Sequence, residues 1–230
     1  MLEAVAISKE QLASELTDKL SAKTILRCDE PLAKKTTLRV GGPADFYVEP
    51  ASETDLALVL GFCSEKDFPF FILGRGSNLL IKDSGIRGFV ISLGHPAFSE
   101  IKIIGERLHC GVGARAKIIS VEARKNNLAG LEFLEGIPGN LGGALRMNAG
   151  AMGSATFNVV ETIRVMDCSG KIQELNRNEI EVEYRSCPLL KNHIALSAVL
   201  KGENASSELV ADRMRTYSAK RWESQPKEPS

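Results

Sequence analysis

Gly136-Ile137-Pro138-Gly139-Asn140-Leu141-Gly142-Gly143-Ala144-Leu145-Arg146-Met147-Asn148-Ala149-Gly150-Ala151-Met152-Gly153 places six glycines in 18 residues and contains no acid. A flexible linker of this glycine content would be polar and serine-rich. Here Ile137, Leu141, Leu145, Met147 and Met152 are interleaved with the glycines. The stretch therefore reads as a packed loop in which glycine lets backbone press against something flat or anionic. A structural bend with no ligand is the competing reading. Asn148 suits either a hydrogen bond to a ring edge or the closing of a turn.

Outward from this stretch the pattern mixes helix and strand. Towards the N-terminus, Ala114 to Asn127 has helical spacing, with Ile118, Val121 and Ile119 expected inward and Gly130 expected as the stop. Ile101 to Ile104 and Leu108 to Val112 read as a hairpin before it. Towards the C-terminus, Val159 to Asp167 and Lys171 to Leu175 flank a Ser169-Gly170 turn. Ile194 to Leu200 reads as a strand and Ser206 to about Arg221 as a charged helix.

The first 93 residues alternate helix and strand, the signature of a small α/β unit. Ser8 and Gln11 fit a capping box ahead of Leu12, Leu16 and Leu20. Thr36 to Pro50 reads as a turn between two short strands, and Ser52 as the cap of a helix running to about Lys66. Phe70 to Leu73 is an apolar strand ending at Gly74-Arg75-Gly76-Ser77-Asn78, followed by a strand-like Leu79 to Ile81 and a further strand from Phe89 to Leu93. Backbone N–H groups in such a loop can form a concavity for phosphate oxygens. The spacing lacks the third glycine of a dinucleotide-binding helix, and no phosphate loop of the Walker type occurs. An ordinary strand–turn–strand is the other reading. With Gly41-Gly42, the three clusters hold 12 of the 20 glycines, so their placement carries more information than their number.

Composition narrows the classes. The 230 residues suit one large domain or two small ones, and 43% hydrophobic residues suffice for a core. Lys+Arg and Asp+Glu are both 29, which argues against a protein that coats nucleic acid or an anionic membrane. No apolar run reaches the length of a bilayer span, and the acidic N-terminal stretch lacks the apolar core of a leader. Cys28, Cys63, Cys110, Cys168 and Cys187 are odd in number and scattered, as expected of reduced thiols in a cytoplasmic protein. His95, His109 and His193 are far apart too, so no metal site is expected. Tyr184-Arg185-Ser186-Cys187-Pro188 in isolation is a solvated charge or a strand-end ion pair, with Cys187 structural.

Together the segments TTLRVGGPADFYVEP, LGRGSNLLIKDSGIRGFVISL, GLEFLEGIPGNLGGALRMNAGAMG and EYRSC closely resemble the UDP-N-acetylenolpyruvoylglucosamine reductase family, also called UDP-N-acetylmuramate dehydrogenases. The likeness covers roughly residues 28 to 230. It implies an α+β, FAD-binding fold of the vanillyl-alcohol-oxidase (PCMH) type, with two α+β subdomains and FAD between them. The implied organisation is an N-terminal extension (1–27), two FAD-binding subdomains (28–93 and 94–204), and a helix opening a C-terminal substrate-binding subdomain (205–230). By resemblance, Gly74, Arg75, Gly76, Ser77, Asn78 and Leu79 hold the FAD pyrophosphate with Gly136, Pro138, Gly139, Gly142 and Gly143. Asn148, Ala149 and Gly150 lie near the flavin ring. Some relatives attach flavin through a histidine in the first loop; none stands here, so FAD is expected to be noncovalent.

The activity implied is NADPH-dependent, FAD-mediated reduction of UDP-N-acetylglucosamine enolpyruvate to UDP-N-acetylmuramate, with no partner protein, nucleic acid or membrane. Arg185 matches the family's active-site arginine, facing a carboxylate on which enolate charge develops, and Tyr184 sits beside it at the substrate. The family pattern continues beyond Ser230 into A-G-[SC]-x-F-K-N-P, with its proton donor, and a third subdomain with a catalytic glutamate. Ser230 matches the serine ahead of that donor. The alternative expectation is an FAD-binding module without reductase activity.

Overall fold

The computed structural model describes residues 8–224. They form two compact units. One runs through His95 and takes in Cys168–Gly170; the other comprises Pro96–Asp167 and the chain from Lys171 onward.

In the first unit, helix α1 (Lys9–Thr17) starts at the Ser8/Gln11 capping box and buries Leu12 and Leu16. Strand β1 (Ile25–Pro31) leads through a single 3-10 turn to β2 (Pro43–Glu49), helix α2 (Glu53–Glu65), β3 (Phe70–Leu73) and β4 (Ile86–Ser92). The sheet order is β1-β2-β4-β3, with β1 antiparallel and the other three parallel. β1 alternates half-buried and exposed residues, as an edge strand does, whereas β4 runs almost continuously buried from Gly88 to Ser92. One sheet face stacks Phe46 on Phe89 at 4.5 Å, with Phe62 and Phe68 edge-on. Such pairs contribute about 0.5–1.5 kcal/mol each beyond buried area. Leu32, Ala44, Tyr47, Leu73, Ile81 and Val90 make a second cluster. The C-terminal end of parallel strand β3 delivers the chain into Gly74, the position at which open α/β sheets present loops to ligands.

Two expectations fail here. Thr36 to Gly42 is irregular, and only Pro43–Glu49 of that stretch is a strand. Leu79 to Ile81 is not a strand either. The two segments bond to neighbours at isolated points, Thr37 N–H to the Gly76 carbonyl and Gly42 N–H to the Lys82 carbonyl, so no ladder forms. Ile81 is buried in the second cluster while Leu80 is 76% exposed.

The second unit contains hairpin β5 (Ile101–Ile104)/β6 (Arg107–Gly111), helix α3 (Ala116–Lys125), β7 (Leu128–Ala129), short helix α4 (Leu141–Arg146), hairpin β8 (Gly150–Ala151)/β9 (Ser154–Ala155), β10 (Val160–Asp167), β11 (Ile172–Asn176), β12 (His193–Lys201), β13 (Glu203–Asn204) and helix α5 (Ser207–Ser224). Five strands form an antiparallel sheet in the order β11-β10-β12-β6-β5. α3 buries Ala116, Ile119, Ser120 and Ala123, which share one helical face. Ile118 points outward, contrary to expectation, because it lies off that face; Val121 packs partly against Val210 and Met214 of α5. The stop is also displaced: Asn127, at φ +58°, ends α3 in the left-handed conformation, and Gly130 lies beyond β7. Arg213 of α5 reaches the buried Glu132 carboxylate at 3.4 Å.

Candidate functional site

The loop after β3 exposes Gly74, Arg75 and Asn78, and half-buries Ser77 and Leu79. Gly76 has a φ of +62°, and a Cβ there would stand 2.4 Å from the Lys35 carbonyl oxygen. The close approach that requires this glycine is therefore made by the chain itself. No acid occurs from Gly74 to Lys82, a span that carries Arg75 and Lys82. An exposed turn with two cations and no carboxylate fits an anionic diphosphate.

The long glycine-rich segment is anchored end to end within the second unit. Pro138 is exposed, and the Gly139 carbonyl accepts from Ala116 N–H. α4 begins against the end of β6: Leu141 N–H donates to the Ala114 carbonyl and Gly142 N–H to the Val112 carbonyl, each at 2.8 Å. A Cβ on Gly142 would meet Val112 at 3.2 Å, whereas one on Gly143 would meet only the Asn140 side chain at 3.7 Å. Gly136 packs no closer than ordinary contact, with Ala151 at 3.5 Å. Within this segment Gly142 spends its N–H inside the fold and Gly143 presents an open face.

Asn148 sits at φ +37° and bonds with both ends of its amide. Its Oδ1 accepts from Phe157 N–H at 3.2 Å, and its Nδ2 donates to the Glu183 carbonyl at 3.3 Å. Both bonds reach beyond its own turn, to residues 9 and 35 positions along the chain. The Ala149 carbonyl accepts from both Thr156 N–H and the Thr156 hydroxyl. Gly150 and Ala151 pair with Ala155 and Ser154 across a Met152-Gly153 turn in which both φ angles are positive.

Tyr184 and Arg185 form the tip of a tight turn closed by reciprocal bonds between Glu183 and Ser186. Tyr184 is 93% exposed, and Arg185 holds a φ of +55°, rarely adopted by a non-glycine residue. Cys187 is fully buried, and burial pushes its thiol above the ordinary range, as for a packed cysteine rather than a nucleophile. Its N–H donates to the Arg146 carbonyl at the end of α4. The structure thus brings the Tyr184-Arg185 turn and the glycine-rich segment together; the loop at Gly74–Leu79 belongs to the first unit. Sequence reading missed Val112 and Ala114, the acceptors that seat α4, because carbonyl groups carry no residue signature.

Among the described residues no three His, Cys, Asp or Glu side chains group to hold a metal ion, and no helix is long and apolar enough to cross a membrane.

An FAD binding domain family matches residues 44–176. A UDP-N-acetylenolpyruvoylglucosamine reductase of Clostridioides difficile (strain 630) is 41% identical over 206 residues, 89% of this chain and 67% of that protein. One from Clostridium tetani is 38% identical over 94% of this chain and 69% of its own length. The crystal structure of the Thermus caldophilus UDP-N-acetylenolpyruvylglucosamine reductase superposes with a TM-score of 0.77 at 29% identity, covering 90% of this chain and 72% of that one. The Arthrobacter nicotinovorans 6-hydroxy-D-nicotine oxidase shares the fold alone, with a TM-score of 0.63 at 14% identity, over 80% of this chain and 43% of that one.

Proposed function

The chain belongs to the UDP-N-acetylenolpyruvoylglucosamine reductase family, a family of FAD oxidoreductases, and on that premise we propose that it acts in the reduction of UDP-N-acetylglucosamine enolpyruvate to UDP-N-acetylmuramate with NADPH as hydride donor. That reaction would place it in the cytoplasmic supply of peptidoglycan precursor, and so in cell-wall growth and division. The observation that carries the reading is the seating of an exposed arginine turn against an acid-free, glycine-rich segment.

The backbone of Gly74–Leu79 and of Gly136–Gly143 would hold the FAD pyrophosphate, with Gly143 rather than Gly142 offering the open approach. Residues 148–150 would lie beside the flavin ring through their peptide groups. Held noncovalently by these residues, FAD would supply hydride-transfer chemistry. The net change adds a hydride to C3 and a proton to C2 of the enolpyruvyl group. Negative charge grows on the carboxylate side as that happens. The planar Arg185 fork suits a carboxylate and stabilises the charge more in the transition state than in the ground state. Tyr184 would line the substrate beside it.

A second reading is an FAD-binding module without reductase activity; the chain spans 67% of the length of the C. difficile relative and 72% of the T. caldophilus one. Single turnover separates the two. Photoreduced, FAD-loaded chain is mixed with the enolpyruvyl substrate without oxygen, and flavin absorbance is followed. Reoxidation supports the reductase; its absence, with FAD bound, leaves the module. Where reoxidation occurs, Arg185→Ala should slow it by about 10²-fold while FAD affinity holds. Equal loss of FAD would make Arg185 structural.

A further inference from the structure

We infer that Asn148 is a positioning residue: with Arg177, it holds the Tyr184-Arg185 turn against the glycine-rich segment. The inference rests on the reading of Arg185 as the cation that meets substrate. Arg177 follows β11 and donates to two carbonyls, Nε to Phe157 at 3.0 Å and Nη1 to Ile180 at 2.8 Å, with its guanidinium 5.5 Å from the Phe157 ring centre. Phe157 N–H in turn donates to Asn148 Oδ1, and Asn148 Nδ2 donates to the Glu183 carbonyl. These four bonds close a ring from Ile180 through Arg177, Phe157 and Asn148 to Glu183. On the far side of the turn, Cys187 N–H is bonded to the Arg146 carbonyl and its side chain is buried. The segment 180–187 is therefore pinned on both flanks, and its exposed tip carries an arginine at φ +55°. A non-glycine residue leaves that backbone region when the surroundings do not hold it. A fork that must meet a carboxylate in one orientation needs such support beneath it.

The test uses the 230-residue chain and its Asn148→Gly and Asn148→Asp variants. Both residues tolerate positive φ, so neither variant is strained into unfolding. Asp keeps an acceptor for Phe157 N–H but has no donor for the Glu183 carbonyl; Gly keeps neither. Tryptic cleavage after Arg185 is followed by mass spectrometry at about pH 8, with cleavage after Arg124 in α3 as the internal reference, while FAD binding is titrated in parallel. Both variants should cut after Arg185 about two- to tenfold faster than the parent, the population shift that one net hydrogen bond carries. Cleavage at Arg124 should not change. Parent-like protection of Arg185 in the Asp variant would overturn the inference, because a side chain that only supports its own loop is rescued by Asp. Loss of FAD affinity in proportion to the faster cleavage would overturn it too, making Asn148 a cofactor contact. A parent chain that takes up no FAD refutes the functional reading and leaves the cleavage comparison to decide the positioning.

Discussion

Gly142 and Gly143 are adjacent and chemically identical, yet the fold constrains them differently. A side chain at Gly142 runs into Val112 at 3.2 Å, whereas the space above Gly143 holds only the tip of Asn140 at 3.7 Å. Gly142→Val should destabilise the cofactor-free chain by about 1–3 kcal/mol, the range for forcing volume into a packed site. Any loss of FAD would follow from that. Gly143→Val should leave the cofactor-free melting temperature near that of the parent and weaken FAD by about tenfold or more. Thermal melts paired with flavin titration of the two variants check both statements. Unchanged FAD affinity in Gly143→Val would remove that face from the cofactor site.

Helix α1 and the turn after it are tied to the rest of the first unit through polar contacts that acid should loosen. The Asp55 carboxylate, at the start of α2 and 3% exposed, accepts from Ser21 N–H at 2.9 Å, the Ser21 hydroxyl at 2.7 Å and the Ser52 hydroxyl at 2.9 Å. Burial pushes this carboxyl up, but the hydrogen bonds outweigh it and hold it below its ordinary value. A carboxylate depressed in the folded state contributes stability above its unfolded pKa of about 3.9 and loses it as pH falls through the folded value. Lys9 bridges Asp29 at 2.7 Å and Asp45 at 2.9 Å, partly exposed pairs of small worth. Melting temperature should therefore fall between about pH 5 and pH 3, and Asp55→Asn should flatten that fall while lowering stability at about pH 7 by roughly 1–3 kcal/mol. A variant with the parent's acid slope would show that Asp55 does not govern it.

At the scale of the whole molecule, a ligand that binds only the folded chain must stabilise it, by about 2.7 kcal/mol at a hundredfold excess over its dissociation constant. FAD should raise the melting temperature, and riboflavin, which lacks the diphosphate, should raise it far less. Equal shifts would sink the assignment of Gly74–Leu79 and Gly136–Gly143 to the pyrophosphate. Much of this architecture was legible beforehand. The Ser8/Gln11 box, the Ser52 cap, both long hairpins and the three glycine clusters are local signals, because hydrophobic period and turn chemistry act over a few residues. The family, too, was written in four motifs in fixed order. What the chain could not announce is where its backbone meets itself: of the strand pair expected over Thr36 to Pro50 the first half forms no strand, and Thr37 and Gly42 bond singly to residues 76 and 82. By itself the sequence determined most of the elements and the family. Only tertiary structure decided that Gly76 and Gly142 are glycines for the sake of Lys35 and Val112, and that Asn148 bonds Glu183 across 35 residues. The physical reason is that such contacts join a side chain or a missing Cβ to a backbone group common to every residue, so only folding identifies the partner.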